Sequence, residues 1–169
     1  MELRVEAKVE QLQQTADGSN QYLSFSLGGE EYGIDILRVR EIREWQRVRT
    51  LPDTPVYMKG VLDLRGTIVP IIDLRSRFKL ASAEYTSTTV IIVLAVVKDK
   101  KQLMVGVVVD GVSDVLNIPA SGIRDAPELG NCISARYMSG MVTLDERMVI
   151  LLDVDQILSP EELCVLEAV

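Results

Sequence analysis

Tyr57-Met58-Lys59-Gly60-Val61-Leu62-Asp63-Leu64-Arg65-Gly66-Thr67-Ile68-Val69-Pro70-Ile71-Ile72-Asp73 reads as two apolar strands, Gly60 to Leu64 and Thr67 to Ile72, joined across Arg65-Gly66. The pattern returns 80 residues later as Tyr137-Met138, Gly140, Leu144, Val149 and Asp153, with six identities at one offset. A second echo runs at an offset of 73: Gly33, Val39 and Glu41-Ile42 become Gly106, Val112 and Asp114-Val115. The physical reading is two copies of one small β-unit related by a pseudo-twofold axis. In each copy a glycine permits close backbone approach and an aspartate ends the hairpin at a turn. Two such small units cannot each bury their apolar surface alone, so a core shared between them is expected.

The flanking sequence fits. Tyr22 to Leu27 is rich in β-formers, Gly28-Gly29 is a two-residue hairpin signal, and Glu31 to Ile34 returns. Ile36, Val39 and Ile42 are spaced by three, which fits a helical turn or a twisted strand. Leu51 to Pro55 is a loop, Asp73 opens a short helical segment with Leu74 and Phe78 on one side, and Ser82 to Thr88 is a polar connector. Thr89 to Val97 is almost wholly apolar and β-branched, the mark of a strand buried on both faces. Lys98 to Gln102 forms its hairpin tip and Leu103 to Val109 returns. After the Asp110-Gly111 turn, Val112, Val115 and Ile118 lead into a loop through Pro119, Gly122, Pro127 and Gly130. Met141 to Leu144 and Met148 to Leu152 make a hairpin around Asp145-Glu146, and Ser159-Pro160-Glu161-Glu162 caps a terminal helix. Many short strands with little helix predict an all-β barrel or sandwich. The expected division is a flexible tail over 1–20, a first subdomain over about 21–83, a second over about 84–152, and a C-terminal helical segment over about 153–169.

Composition narrows the function. Hydrophobic residues are 47% and charged residues 25% of the 169, an ordinary globular balance. Asp and Glu number 25 against 18 Lys and Arg, a net charge of −7, which disfavours a general nucleic-acid binder. There is no histidine, so Ser-His-Asp and Cys-His catalysis and histidine metal sites are excluded. Cys132 and Cys164 lie far apart and read as small core or surface thiols. No secretory signal and no apolar run of membrane length is present, so a soluble cytoplasmic protein is expected. Phosphate-loop, dinucleotide, nucleophile-elbow and EF-hand patterns are absent. Asp63 with Asp73, and Asp153 with Asp155, are carboxylate pairs for acid–base work only if a pocket raises a pKa; aspartates ending strands ordinarily cap turns.

Arg38, Arg40, Arg43, Arg47 and Arg49 crowd one stretch beside Glu41 and Glu44, with Trp45 among them. They form either a solvated edge of local ion pairs or an arginine-rich docking face anchored by Trp45. Arg65, at a hairpin tip, is a surface turn residue or a recognition residue on a rigid scaffold. Its repeat partner is Asp145, of opposite charge.

Three ordered motifs resemble the CheW family of bacterial chemotaxis coupling proteins. They are Glu31-Tyr32-Gly33-Ile34-Asp35-Ile36 with Val39-Arg40-Glu41-Ile42, the Gly60 to Arg75 stretch, and Gly106-Val107-Val108-Val109-Asp110-Gly111-Val112-Ser113-Asp114-Val115. The resemblance spans about Tyr22 to Leu166. It implies two five-stranded SH3-like barrels sharing an apolar core, no enzymatic activity and no cofactor or metal. It implies an adaptor recruited to membrane-bound receptor arrays. There it bridges the cytoplasmic tip of methyl-accepting chemoreceptors to the regulatory domain of the histidine kinase CheA, with other CheW-like domains as further ring partners. By motif, Val39, Glu41, Arg65, Val90 and Gly106 are expected at the receptor-facing groove or its rim, and Gly60 nearer the kinase. The Lys98 to Gln102 tip is longer than the family's usual form, and the two cysteines match no family motif. With 169 residues a stand-alone coupler is expected rather than a fusion to a receiver domain. A non-flagellar kinase pathway such as pilus motility is the alternative within the family, and a small-barrel nucleic-acid binder the alternative outside it.

Overall fold

Alternating apolar residues, and continuous apolar runs where both faces are buried, produce ten strands in the computed structural model, which describes residues 21–50, 52, 56–78, 85–98, 100–124 and 137–157. They are β1 (Gln21–Leu27), β2 (Glu30–Asp35), β3 (Val39–Glu44), β4 (Met58–Leu64), β5 (Thr67–Asp73), β6 (Val90–Lys98), β7 (Lys101–Val109), β8 (Gly111–Asn117), β9 (Met138–Leu144) and β10 (Arg147–Leu152). A single helical turn, α1 (Leu74–Arg77), follows β5, capped by the Asp73 side chain. The expected tail, most of the Leu51 to Pro55 loop, the start of the Ser82 to Thr88 connector, the Pro127 to Gly130 loop, both cysteines and the capped terminal helix lie outside the described residues.

The strands form two five-stranded sheets, ordered β8-β1-β2-β10-β9 and β3-β6-β7-β5-β4. This corrects the division into 21–83 and 84–152: each sheet takes strands from both halves of the chain. The repeat reports which strands are alike, and like strands exchange between the sheets instead of pairing within one half.

Each sheet closes on itself. Arg49, beyond β3, bridges Val61 of β4, the opposite edge strand, with N–H to O distances of 3.1 and 2.8 Å. Arg124, beyond β8, bridges Met141 of β9 at 2.8 Å both ways. A glycine stands at each seam. A Cβ on Gly60 would lie 2.1 Å from the Arg49 carbonyl oxygen, and one on Gly140 would lie 3.0 Å from that of Arg124. The closure consumes the edges that would otherwise pair with other chains.

Four β-bulges fall at repeat-equivalent places. Arg40 is the extra residue between the Val39–Leu94 and Glu41–Val93 pairs, and Ser113 that between Val112–Phe25 and Asp114–Ser24. Lys59 and Ser139 are their counterparts in β4 and β9. A bulge turns i, i+3 spacing into one face of a strand, so Val39 and Ile42, and Val112 and Val115, point the same way. For this reason the Val112 to Ile118 segment, read as leading into a loop, is largely the strand β8. The Ile36 to Ile42 segment is likewise a 3₁₀ turn (Ile36–Arg38) followed by β3.

The core has three parts. Val90, Ile92, Leu94 and Val96 of β6 face a shared cluster with Leu23, Phe25, Leu27, Tyr32 and Ile34 of the other sheet. Ile91 and Val93 face the inside of their own barrel with Val69, Ile71 and Val108. Ile118, Val142, Val149 and Leu151 fill the other barrel. Burial of β6 on both faces thus follows from its place between two cores. The Arg77 guanidinium lies over the repeat-equivalent rings of Tyr57 and Tyr137, at 4.7 and 5.1 Å.

Two outcomes follow. Ile92 is fully buried in the shared core, so Ile92→Asp places an unpaired charge there and abolishes cooperative thermal unfolding in circular dichroism; a normal melt would contradict the assignment. Gly66→Ala, at φ 88° with open space around it, costs about 1–2 kcal/mol in a urea melt. Gly60→Ala, at φ 149° against the seam carbonyl, costs clearly more; equal costs would remove the seam from the argument.

Candidate functional site

The β4–β5 hairpin turns in two residues, Arg65 (φ 55°) and Gly66 (φ 88°), both in the left-handed region that right-twisted strands require. The Asp63 carboxylate accepts the Gly66 N–H at 2.9 Å and fixes the turn. Arg65 therefore projects from a rigid base, with 84% of its side chain exposed. Glu41 of β3 meets it: Oε1 lies 3.7 Å from Arg65 Nη2 and 2.7 Å from Arg43 Nη1. The structure thus brings Arg65 and Glu41 together, and Arg43 joins them.

The other expected residues lie beneath this surface. Val39 and Val90 are fully buried in the shared core. Gly106 is buried where β7 meets β5; a Cβ there would lie 2.6 Å from Ile71 Cδ1. Gly60 is buried at the barrel seam. Their side chains, or lack of them, shape the strands from below.

The arginine run divides. Arg38 is half-buried and bonds both oxygens of Asp155, at 2.9 and 2.8 Å. Arg40 donates to the Leu37 carbonyl at 2.9 Å. Arg47 and Arg49 are exposed. Trp45 is half-buried and stacks on Tyr85 with centroids 3.9 Å apart and planes 8° from parallel. Together with β3 it borders an open depression of about 390 Å³ lined by Glu41 to Gln46. Tyr85 drew no notice in the sequence, since a lone aromatic in a polar connector shows no periodicity.

Tyr85 also covers a buried ion pair. Arg75 bonds Asp73 through Nε and Nη2, at 3.0 and 3.1 Å, reaches Asp110 at 3.2 Å, and lies 5.1 Å under the Tyr85 ring. Burial opposes the Arg75 charge, but the bond to Asp73 and the charges of Asp73 and Asp110 outweigh it and raise its pKa. Asp63, Asp73 and Asp153 each accept a backbone N–H two or three residues on, the capping role expected of strand-ending aspartates. Among the described residues no group of three His, Cys, Asp or Glu side chains is placed to hold a metal ion, and no helix is long and apolar enough to cross a membrane.

Burial, then the nearby Asp73 charge, raise the Tyr85 pKa above 10. A raised folded-state value means its contribution to stability is complete below about pH 10 and lost as pH rises through the higher value. Trp45 is the chain's single tryptophan, so its emission reports the ionisation. The emission titrates with a midpoint above 10 while the circular dichroism persists, and Tyr85→Phe removes the transition. A transition unchanged in Tyr85→Phe would show that the stack does not form.

The CheW-like domain family matches residues 21–162. The chain is 48% identical over 149 residues to a "Chemotaxis protein CheW" of Klebsiella aerogenes, covering 88% of this chain and 87% of that one. It is 33% identical to a "Chemotaxis protein CheW" of Bacillus subtilis, covering 81% and 85%. The crystal structure of scaffolding protein TtCheW from Thermoanaerobacter tengcongensis superposes with a TM-score of 0.76 at 27% identity, over 85% of this chain and 90% of that one.

Proposed function

The chain belongs to the CheW family of chemotaxis adaptor proteins, and from that premise we propose that it couples chemoreceptors to the histidine kinase CheA. It acts as an adaptor without chemistry of its own. One face engages the cytoplasmic tip of a methyl-accepting receptor; another engages the regulatory domain of the kinase.

The observation that carries this reading is the Arg65–Glu41–Arg43 cluster. A guanidinium is held on a tight hairpin, and its nearest carboxylate is itself braced by a second arginine. A surface pair of this kind adds little stability, so its value lies in recognition. Val39 and Val90 serve the receptor side by packing β3 and β6 from below. Gly106 does so by letting β5 approach β7. Gly60 serves the kinase side by keeping β4 closed against Arg49. Other CheW-like domains are further partners in an array at the membrane.

Titration calorimetry of the purified chain tests the reading, with the cognate kinase regulatory domain and a receptor-tip fragment as titrants. The wild-type chain binds each saturably at one to one. Arg65→Glu keeps kinase affinity, loses at least about tenfold toward the receptor fragment, and melts within about 0.5 kcal/mol of wild type. No binding to either partner would end the adaptor reading. Equal loss toward both would remove Arg65 from the receptor face.

A further inference from the structure

Two polar clasps tie one barrel to the other. In the first, Asp110 at the end of β7 accepts the Gly28 N–H of the β1–β2 turn at 2.9 Å and pairs with Arg75 at 3.2 Å. In the second, Asp155, in the 3₁₀ turn after β10, accepts the Val97 N–H of β6 at 2.8 Å and holds Arg38 through two bonds of 2.9 and 2.8 Å. The clasps are repeat-equivalent with their charges exchanged. Arg75 and Asp155 stand 80 residues apart, and Asp110 stands 73 residues beyond Leu37, the neighbour of Arg38. In both, a carboxylate caps an amide near the β1–β2 or β6–β7 hairpin end.

The clasps differ in depth. Arg75 is 2% exposed, whereas Arg38 and Asp155 are 28% and 25% exposed. So open an ion pair contributes little to folding. Its two-bond geometry nevertheless fixes position. Arg38 directly precedes Val39, and it also donates to the Ala95 carbonyl of β6 at 3.2 Å. One residue later the β3–β6 ladder is interrupted by the bulge at Arg40. Strand pairing alone therefore leaves slack where β3 begins, just ahead of Glu41.

We infer that Asp155 is a positioning residue: from the other barrel, through Arg38, it holds the start of β3 and so places Glu41 against Arg65. The inference rests on the receptor-side role of that cluster given above.

The test uses the full chain carrying Asp155→Ala, Arg38→Ala, or both, with Arg65→Glu alongside. Amide exchange is followed by NMR, and affinities for the receptor-tip fragment and the kinase regulatory domain are measured. Asp155→Ala speeds exchange at Val97 and Glu41; Arg38→Ala speeds it at Glu41 alone. Each single variant loses about tenfold in receptor affinity, the double variant loses no more than either, and kinase affinity stays within twofold. Receptor affinity within twofold of wild type in Asp155→Ala, where Arg65→Glu does abolish it, overturns the inference. If Arg65→Glu binds the receptor fragment normally, the reading of that face has failed instead. The clasp then stands or falls on exchange at Glu41: faster in both single variants supports it, and unchanged overturns it.

Discussion

Strand β6 is apolar on both faces, and from Val90 to Val96 neither face meets water. Val90, Ile92, Leu94 and Val96 lie in the cluster shared with the other barrel, and Ile91 and Val93 in the barrel's own interior. A single five-stranded barrel would leave one of those faces exposed, at about 25 cal/mol for each Å² of apolar surface. The second barrel removes that cost, and its own β1 contributes Leu23, Phe25 and Leu27 to the same cluster. Strand exchange between the halves of the chain then ties the barrels covalently as well as by packing, so neither contains a complete half.

The polar contacts add selection to that packing. The two seams need glycine, because the closing backbone passes where a side chain would begin. The two clasps pair Arg75 with Asp110 and Arg38 with Asp155, so pairing within one copy of the repeat, Arg38 with Arg75 or Asp110 with Asp155, would bring like charges together. The barrel interiors have diverged too. Where one holds Val93 and Met104, the other holds a buried Ser24 bonded to Glu31, which Arg147 reaches at 3.3 Å. The Arg65 tip and the Asp145-Glu146 tip differ in the same sense. A duplicated fold thus presents two unlike ends.

Much of this was legible in the residues. The six identities around Tyr57 and Tyr137 located the hairpins, the Gly33 and Gly106 echo located the strands beside them, and unbroken β-branched residues located β6. What was not legible has a common cause: it depends on contacts between distant segments. The i, i+3 spacing of Val112 and Val115 means a strand only when Ser113 bulges against β1. Sheet membership depends on the parallel pairs β2–β10 and β5–β7, which local pattern does not encode. The arginine run looked like one face, yet Arg38 turns inward to Asp155, 117 residues away, and only Arg43 joins the Glu41–Arg65 cluster. Arg65 at a hairpin tip was readable from its turn; Val90 and Gly106 were readable as members of buried apolar strands, while Val39 was readable only as part of a helical turn or twisted strand.

The central claim is that the two barrels share one core and stand or fall together. Native-state hydrogen exchange at increasing denaturant measures this residue by residue. The amides of Leu23 to Leu27 in one barrel and of Ile91 to Val96 in the other should converge on a single opening free energy, equal to that of global unfolding. If the β1 amides reach their limit at a clearly lower free energy while those of β6 remain protected, the barrels unfold separately and the shared core does not govern the fold.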